Sequence, residues 1–245
     1  MNISGNTVLV TGGASGIGKA LAIRFLDRGN EVIVCGRRND VLAELTLEYP
    51  KIVTHVCDVG VSDEREGLLK WAFSEFPDLN ILVNNAGIQR RIDLTKVESW
   101  ENTSSEIAIN LEAPIHLCQL FIQHLSQEKK AAILNVTSGL SFVPLANVPV
   151  YCATKAALHS FTLSTRRQYR EHGIEVIEII PPAVDTDLQA PGLHTFGVNV
   201  EEFADHVFTE LEMGKTEIAY GTAQIASTAS REELDQIFDR MNTKG

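Results

Sequence analysis

The sequence predicts a doubly wound α/β fold: a single domain with a parallel sheet of about seven strands and helices on both faces. Three observations predict it. Short apolar, β-branched runs alternate with segments of helical periodicity, the pattern of right-handed βαβ units. The strand runs are apolar throughout rather than alternating, as when helices cover both faces of a sheet. The chain has 245 residues, 44% of them hydrophobic, which suits one domain with a sizeable core. No long Pro/Gly/Ser linker or internal repeat divides residues 1–245.

The first strand is expected over 7–11. It runs into Thr11-Gly12-Gly13-Ala14-Ser15-Gly16-Ile17-Gly18, followed by an amphipathic helix over 19–28. Glycines permit unusual dihedrals and close backbone approach. A helix N-terminus offers free N–H groups and a partial positive charge. Gly12, Ser15, Gly16, Ile17 and Gly18 therefore read as a pyrophosphate cradle, with an ordinary tight turn as the alternative. A second strand over 31–35 leads to Gly36-Arg37-Arg38 and a helix over 39–49. A third, over 52–57, leads to Asp58-Val59 and a helix over 62–76. A fourth, over 81–83, ends in Asn84-Asn85-Ala86-Gly87, and a long helix follows over 100–125. The fifth, over 131–137, ends at Ser138. A helix over 151–171 leads to a sixth strand over 175–180, then Pro181-Pro182-Ala183-Val184-Asp185-Thr186. A seventh is expected over 217–220. In open parallel sheets ligands bind at the carboxyl ends of the strands, and every unusual segment falls there. Residues 187–214 read as a substrate lid.

Tyr151 and Lys155 lie four residues apart in PVYCATKAALHSF, on one face of the expected helix. A phenol of ordinary pKa about 10 is a poor acid or base at neutrality. An adjacent cation is expected to move it down. The pair reads as a tuned acid/base, the alternative being a buried Tyr beside a solvated Lys.

Composition narrows the partners. A net charge of −11 and a pI near 5.1 disfavour nucleic acid and anionic membrane surfaces. No apolar run reaches the ~18 residues of a membrane span. MNISGNTVLV enters the first strand almost at once, leaving no room for a signal peptide, so a cytoplasmic protein is expected. Cys35, Cys57, Cys118 and Cys152 form no C-x-x-C pair and read as structural thiols. The seven His show no ligand-like spacing, so no catalytic metal is expected.

Together TGGASGIG, NNAG, Ser138 and Tyr151-x3-Lys155 resemble the compact short-chain dehydrogenases/reductases, over almost the whole chain. IIPPAVDTDL and the tail EELDQIFDRMN are similar to the DltE-like bacterial oxidoreductases of that family. The resemblance implies a Rossmann-type fold and an oxidoreductase interconverting a carbonyl and an alcohol by hydride transfer. It implies that Tyr151 exchanges the proton, that Lys155 lowers its pKa and bonds the nicotinamide ribose, and that Ser138 holds the substrate oxygen. Asn110 would position a water behind Lys155, with helix packing as the alternative. Asn84, Ala86 and Gly87 would line the cofactor groove, and Asp58, with Val59 beside it, would meet the adenine. Pro181, Val184 and Thr186 would orient the nicotinamide amide, although Pro182 stands where the family often has Gly and stiffens this turn.

The second strand ends without an acid to accept from a ribose 2′-OH. Arg37 and Arg38 follow, and guanidinium groups match phosphate. NADP(H) is therefore the expected cofactor, with NAD(H) possible. The wall over 139–148 and the expected lid are mainly apolar, as for a largely apolar carbonyl substrate. Gln89, Arg90 and Arg91 at the same rim could pair with an anionic substrate group or simply be solvated, and His194 could reach the pocket. The resemblance further implies a homodimer or homotetramer built through 100–125 and 151–171, where apolar positions exceed one core-facing stripe. The alternative function is a catalytically idle NADP(H)-binding sensor or partner protein.

Overall fold

The computed structural model describes residues 1–243 except Glu98, Asp187, 189–191, Leu193 and His194. Among these, seven strands form one sheet: β1 Thr7–Thr11, β2 Glu31–Gly36, β3 Ile52–Val56, β4 Leu79–Asn84, β5 Ala132–Val136, β6 Glu175–Ile180 and β7 Glu217–Ala219. Their order is β3-β2-β1-β4-β5-β6-β7, and every pairing is parallel. Chain order reverses between β1 and β4, so a crevice opens beyond their carboxyl ends.

Two-residue periodicity sends alternate side chains to two apolar layers. Val8, Val10, Val32, Val34, Ile81 and Val83 enter one, with Phe25, Phe203 and Phe208. Leu9, Ile33, Leu82 and Ile133 enter the other, with Leu117, Phe121 and Leu125.

The first layer includes α1 Gly16–Asp27, α2 Asn39–Glu48 and α7 Val200–Glu212. Helix α7 corrects the expected lid over 187–214. Phe203, Ala204, Val207, Phe208 and Leu211 form a buried helical stripe, and Asn199 Oδ1 caps it by accepting from Glu201 N at 2.8 Å. That part of the segment is core. Of the remainder, Asp187 and the expected pocket residue His194 lie outside the described residues.

The second layer takes side chains from α3 Ser62–Glu75, α5 Ala113–Leu125 and α6 Pro149–Tyr169. The single helix expected over 100–125 is instead α4 Trp100–Ile107, a π-helical turn Ala108–Glu112, and α5. Pro114 explains the break: it has no N–H to give to Asn110, four residues earlier, and its ring crowds that carbonyl. Two short C-terminal helices, α8 Thr222–Thr228 and α9 Arg231–Asn242, complete the described chain. Asn242 tethers α9 to the segment after β5, accepting from Ala146 N at 2.7 Å and donating to Pro144 O at 3.2 Å. Among the described residues no helix is long and apolar enough to cross a membrane.

Candidate active site

A cavity of about 720 Å³ occupies the crevice. At its nucleotide end, Gly12 and Gly16 adopt positive φ, 63° and 53°. A Cβ on Gly12 would lie 2.9 Å from Ala86 Cα, and one on Gly18 would lie 2.3 Å from Asn85 Nδ2. The turn after β1 and the segment after β4 are thus packed backbone to backbone. Asn85 Nδ2 donates to Thr11 O (2.9 Å) and Gly12 O (3.2 Å). Thr11 Oγ1 accepts from Ala86 N at 3.1 Å.

Asn84, expected in the groove, is turned the other way. Its Nδ2 donates to Asn135 Oδ1 at 2.9 Å within the sheet, because it is the last residue of β4 and its side chain follows the strand alternation. Asn85 and Thr11 make the bonds at the rim, and sequence reading assigned neither a role of its own.

Gly12, Ser15, Gly16, Ile17, Gly18, Ala86 and Gly87 line the cavity, as do Arg37, Arg38, Asp58 and Val59. Arg38 donates to Ser15 Oγ at 3.1 Å. Arg37 turns toward Asp58, 3.6 Å away. The N-terminal turn of α1 carries no acid. A glycine cradle at a helix N-terminus, flanked by two guanidinium groups, fits a dinucleotide phosphate chain.

At the other end, α6 carries Tyr151 and Lys155, 7% and 4% exposed, and both line the cavity. Lys155 Nζ donates to Val136 O at 2.8 Å and sits 5.8 Å from the Tyr151 ring centre. The expected lowering of the Tyr151 pKa is corrected: burial pushes the phenol up to about 12, with the neighbouring Ser138 hydroxyl pulling partly back. Burial likewise pulls Lys155 down to about 8. Desolvation is the largest cause of both shifts.

Ser138 Oγ accepts from Leu140 N at 3.1 Å. The preceding Thr137 donates to Glu178 Oε1 at 2.7 Å, and His159 Nδ1 donates to the same oxygen at 2.9 Å. That bond to buried Glu178 raises the His159 pKa and ties β5, β6 and α6 together beside Ser138.

Asn110 sits in the π-helical turn. It accepts from Ile88 N at 2.9 Å and donates to Ile88 O at 2.8 Å. Asn110 thereby clamps the chain leaving β4. A Cβ on Gly87 would lie 3.4 Å from Asn110 Oδ1 and 3.6 Å from Lys155 Nζ, in ordinary contact, so Asn110 and Lys155 flank this turn.

One turn earlier, Glu106 is fully buried. Its Oε1 accepts from Arg90 N at 3.3 Å, and its Oε2 has no partner. Burial pushes this carboxyl up to about 7, against the Arg90 N–H and charge, and its negative charge in turn raises Tyr151. Sequence reading missed Glu106; its one signal is an acid four residues before Asn110.

Pro181 and Thr186 line the cavity. The Val184 side chain is instead buried in the first apolar layer. Pairing with Val198 fixes this segment: Asp185 N donates to Val198 O and Val198 N to Ala183 O, both at 2.9 Å.

The chain was compared with known proteins. A family model described as short chain dehydrogenase matches residues 6–195. The chain is 48% identical over 250 aligned positions to the uncharacterized oxidoreductase DltE of Bacillus subtilis, covering 100% of this chain and 99% of that one. A short chain dehydrogenase from Burkholderia cenocepacia, solved in complex with NADP, superposes with a TM-score of 0.83 at 27% identity, over 97% and 99% of the two chains. One from Burkholderia phymatum, solved with NAD, gives 0.85 at 19% identity, over 97% and 96%; at that identity the likeness shows the fold. With a full-length relative at 48% identity and the family model covering most of its length, the chain belongs to the short chain dehydrogenase family, as a DltE-like oxidoreductase acting on CH–OH groups with a nicotinamide nucleotide.

Proposed function

We propose that the protein interconverts a carbonyl and an alcohol using NADP(H), with Tyr151 as the acid and base. The observation that carries this is the convergence of Tyr151, Lys155 and the glycine turn on one cavity.

The bound nicotinamide supplies or accepts the hydride; the chain's own residues handle the proton. With its pKa near 12, Tyr151 is a neutral phenol at pH 7 and can donate from Oη to a substrate oxygen during reduction. In the reverse direction it takes that proton back. Lys155, near 8, remains mostly cationic at pH 7 and favours the phenolate as it forms. Ser138 orients the oxygen that Tyr151 serves. Arg38 and Ser15, already bonded to each other, would receive a 2′-phosphate, favouring NADP(H) over NAD(H). Retention of both Tyr151 and Lys155 supports an enzyme over an idle nucleotide-binding protein.

The protein would work in the cytoplasm as a homodimer or homotetramer through α4, α5 and α6. There Trp100 and Leu163 remain 71% and 44% exposed. The test is a panel of aldehydes and ketones incubated with purified protein and NADPH or NADH. Consumption of NADPH, faster than of NADH, on at least one carbonyl is expected. Nucleotide binding with no turnover across the panel would favour the idle protein.

A further inference from the structure

The stretch Ile88–Ile92 leaves β4 without regular secondary structure, yet it is held at every second residue. Asn110 bonds both the N–H and the carbonyl of Ile88. Glu106 accepts from Arg90 N. Ile92 N donates to Asn147 O at 3.1 Å, and the Arg90 guanidinium donates to Asn102 O at 3.1 Å. Between these anchors, Gln89 and Arg91 both line the cavity that holds Tyr151.

Neither side chain has a hydrogen bond or ion pair among the described residues. Gln89 is nine-tenths buried as a residue, with its amide still accessible at the cavity wall. Arg91 is exposed and makes no ion pair among the described residues, in a chain of net charge −11. Arg24, Arg28, Arg167 and Arg231 all pair with carboxylates. The Glu106 carboxylate that reaches the stretch accepts from Arg90 N and makes no bond to Arg91.

We propose that Gln89 and Arg91 form an anion-recognition subsite, so that the substrate is a carbonyl compound carrying a carboxylate. One guanidinium fork and one amide donor match a planar monoanion. The apolar surroundings suit the carbon skeleton between carboxylate and carbonyl. This rests on the reading of the cavity as the carbonyl-binding site.

The test reads binding, independently of turnover. Straight-chain carboxylates from butanoate to octanoate, and the corresponding carboxamides, are titrated calorimetrically into the protein with and without saturating NADPH. The best carboxylate should bind at least about 10-fold more tightly than its amide, the lower end expected for a charge-assisted contact. Arg91→Gln should abolish that preference while leaving NADPH affinity within about twofold of the native value, and Tyr151→Phe should preserve it. Equal binding of acids and amides, or a preference that survives Arg91→Gln, overturns the subsite. Loss of NADPH binding in Arg91→Gln also overturns it, by moving Arg91 to the nucleotide end. A carboxylate preference without turnover of any carbonyl would leave the subsite standing and sink the reductase reading alone.

Discussion

The two ends of the cavity are built differently. At the nucleotide end the backbone makes the site: Gly12, Gly16 and Gly18 have no room for a side chain or adopt positive φ, and Asn85 and Thr11 tie two turns together through main-chain groups. At the substrate end side chains make it. Asn110, Glu106 and Asn147 hold an irregular stretch in place, and Gln89 and Arg91 are left without partners. A phosphate chain is common to every reaction the fold can run, so a fixed backbone cradle suffices. A substrate differs from protein to protein, and its recognition lies in residues that can change without disturbing the sheet.

The largest effect should break the substrate end. The Glu106 pKa is raised from 4.5 to about 7, so the folded state holds its proton more tightly than the unfolded state. Its contribution to stability is fully present below about pH 4.5 and lost as pH rises to about 7. Glu106→Gln keeps the acceptor for Arg90 N and removes the titration. The variant should therefore gain stability relative to the native protein between pH 5 and 8, by at most about 3 kcal/mol. Urea unfolding at both pH values measures it; a difference independent of pH would mean that Glu106 does not titrate in this range.

A smaller pair of effects sharpens the nucleotide end. Arg38→Ala should weaken NADPH about 10- to 150-fold while barely changing NADH, as for loss of one charge-assisted contact. Arg37→Ala should change the NADPH-to-NADH ratio less, by a few-fold, because Arg37 is half-exposed and spends its charge on Asp58. Fluorescence titration of both nucleotides into both variants decides the order. A larger loss of NADPH with Arg37→Ala would transfer the phosphate-reading role to that residue.

This contrast also explains what the sequence made legible. Apolar runs gave strands Thr7–Thr11 and Glu175–Ile180 with their observed bounds, because continuous β-branched stretches have few alternatives. The Gly turn and the Tyr151/Lys155 spacing were legible because they depend on local geometry. Asn84 and Asn85 were not distinguishable: which neighbour faces the groove depends on where β4 ends, and it ends at Asn84, the first residue of NNAG. The direction of the Tyr151 shift was missed because spacing shows a neighbouring cation but not how deeply both groups are buried. Residues 200–214 passed for a lid because only the packed sheet shows that Phe203 and Phe208 have a core to enter. Glu106 was invisible for the same reason, since its importance lies in burial without a full set of partners among the described residues.

The central claim is that the phenol of Tyr151 moves the proton at a site whose nucleotide end is built independently of it. The most direct measurement takes Tyr151→Phe and follows two quantities on one preparation: NADPH affinity by fluorescence, and single-turnover reduction of whichever carbonyl the native protein consumes fastest. NADPH affinity should stay within about threefold, while the rate falls by roughly 10²–10⁴-fold, the usual worth of general acid catalysis. An undiminished rate would contradict the account.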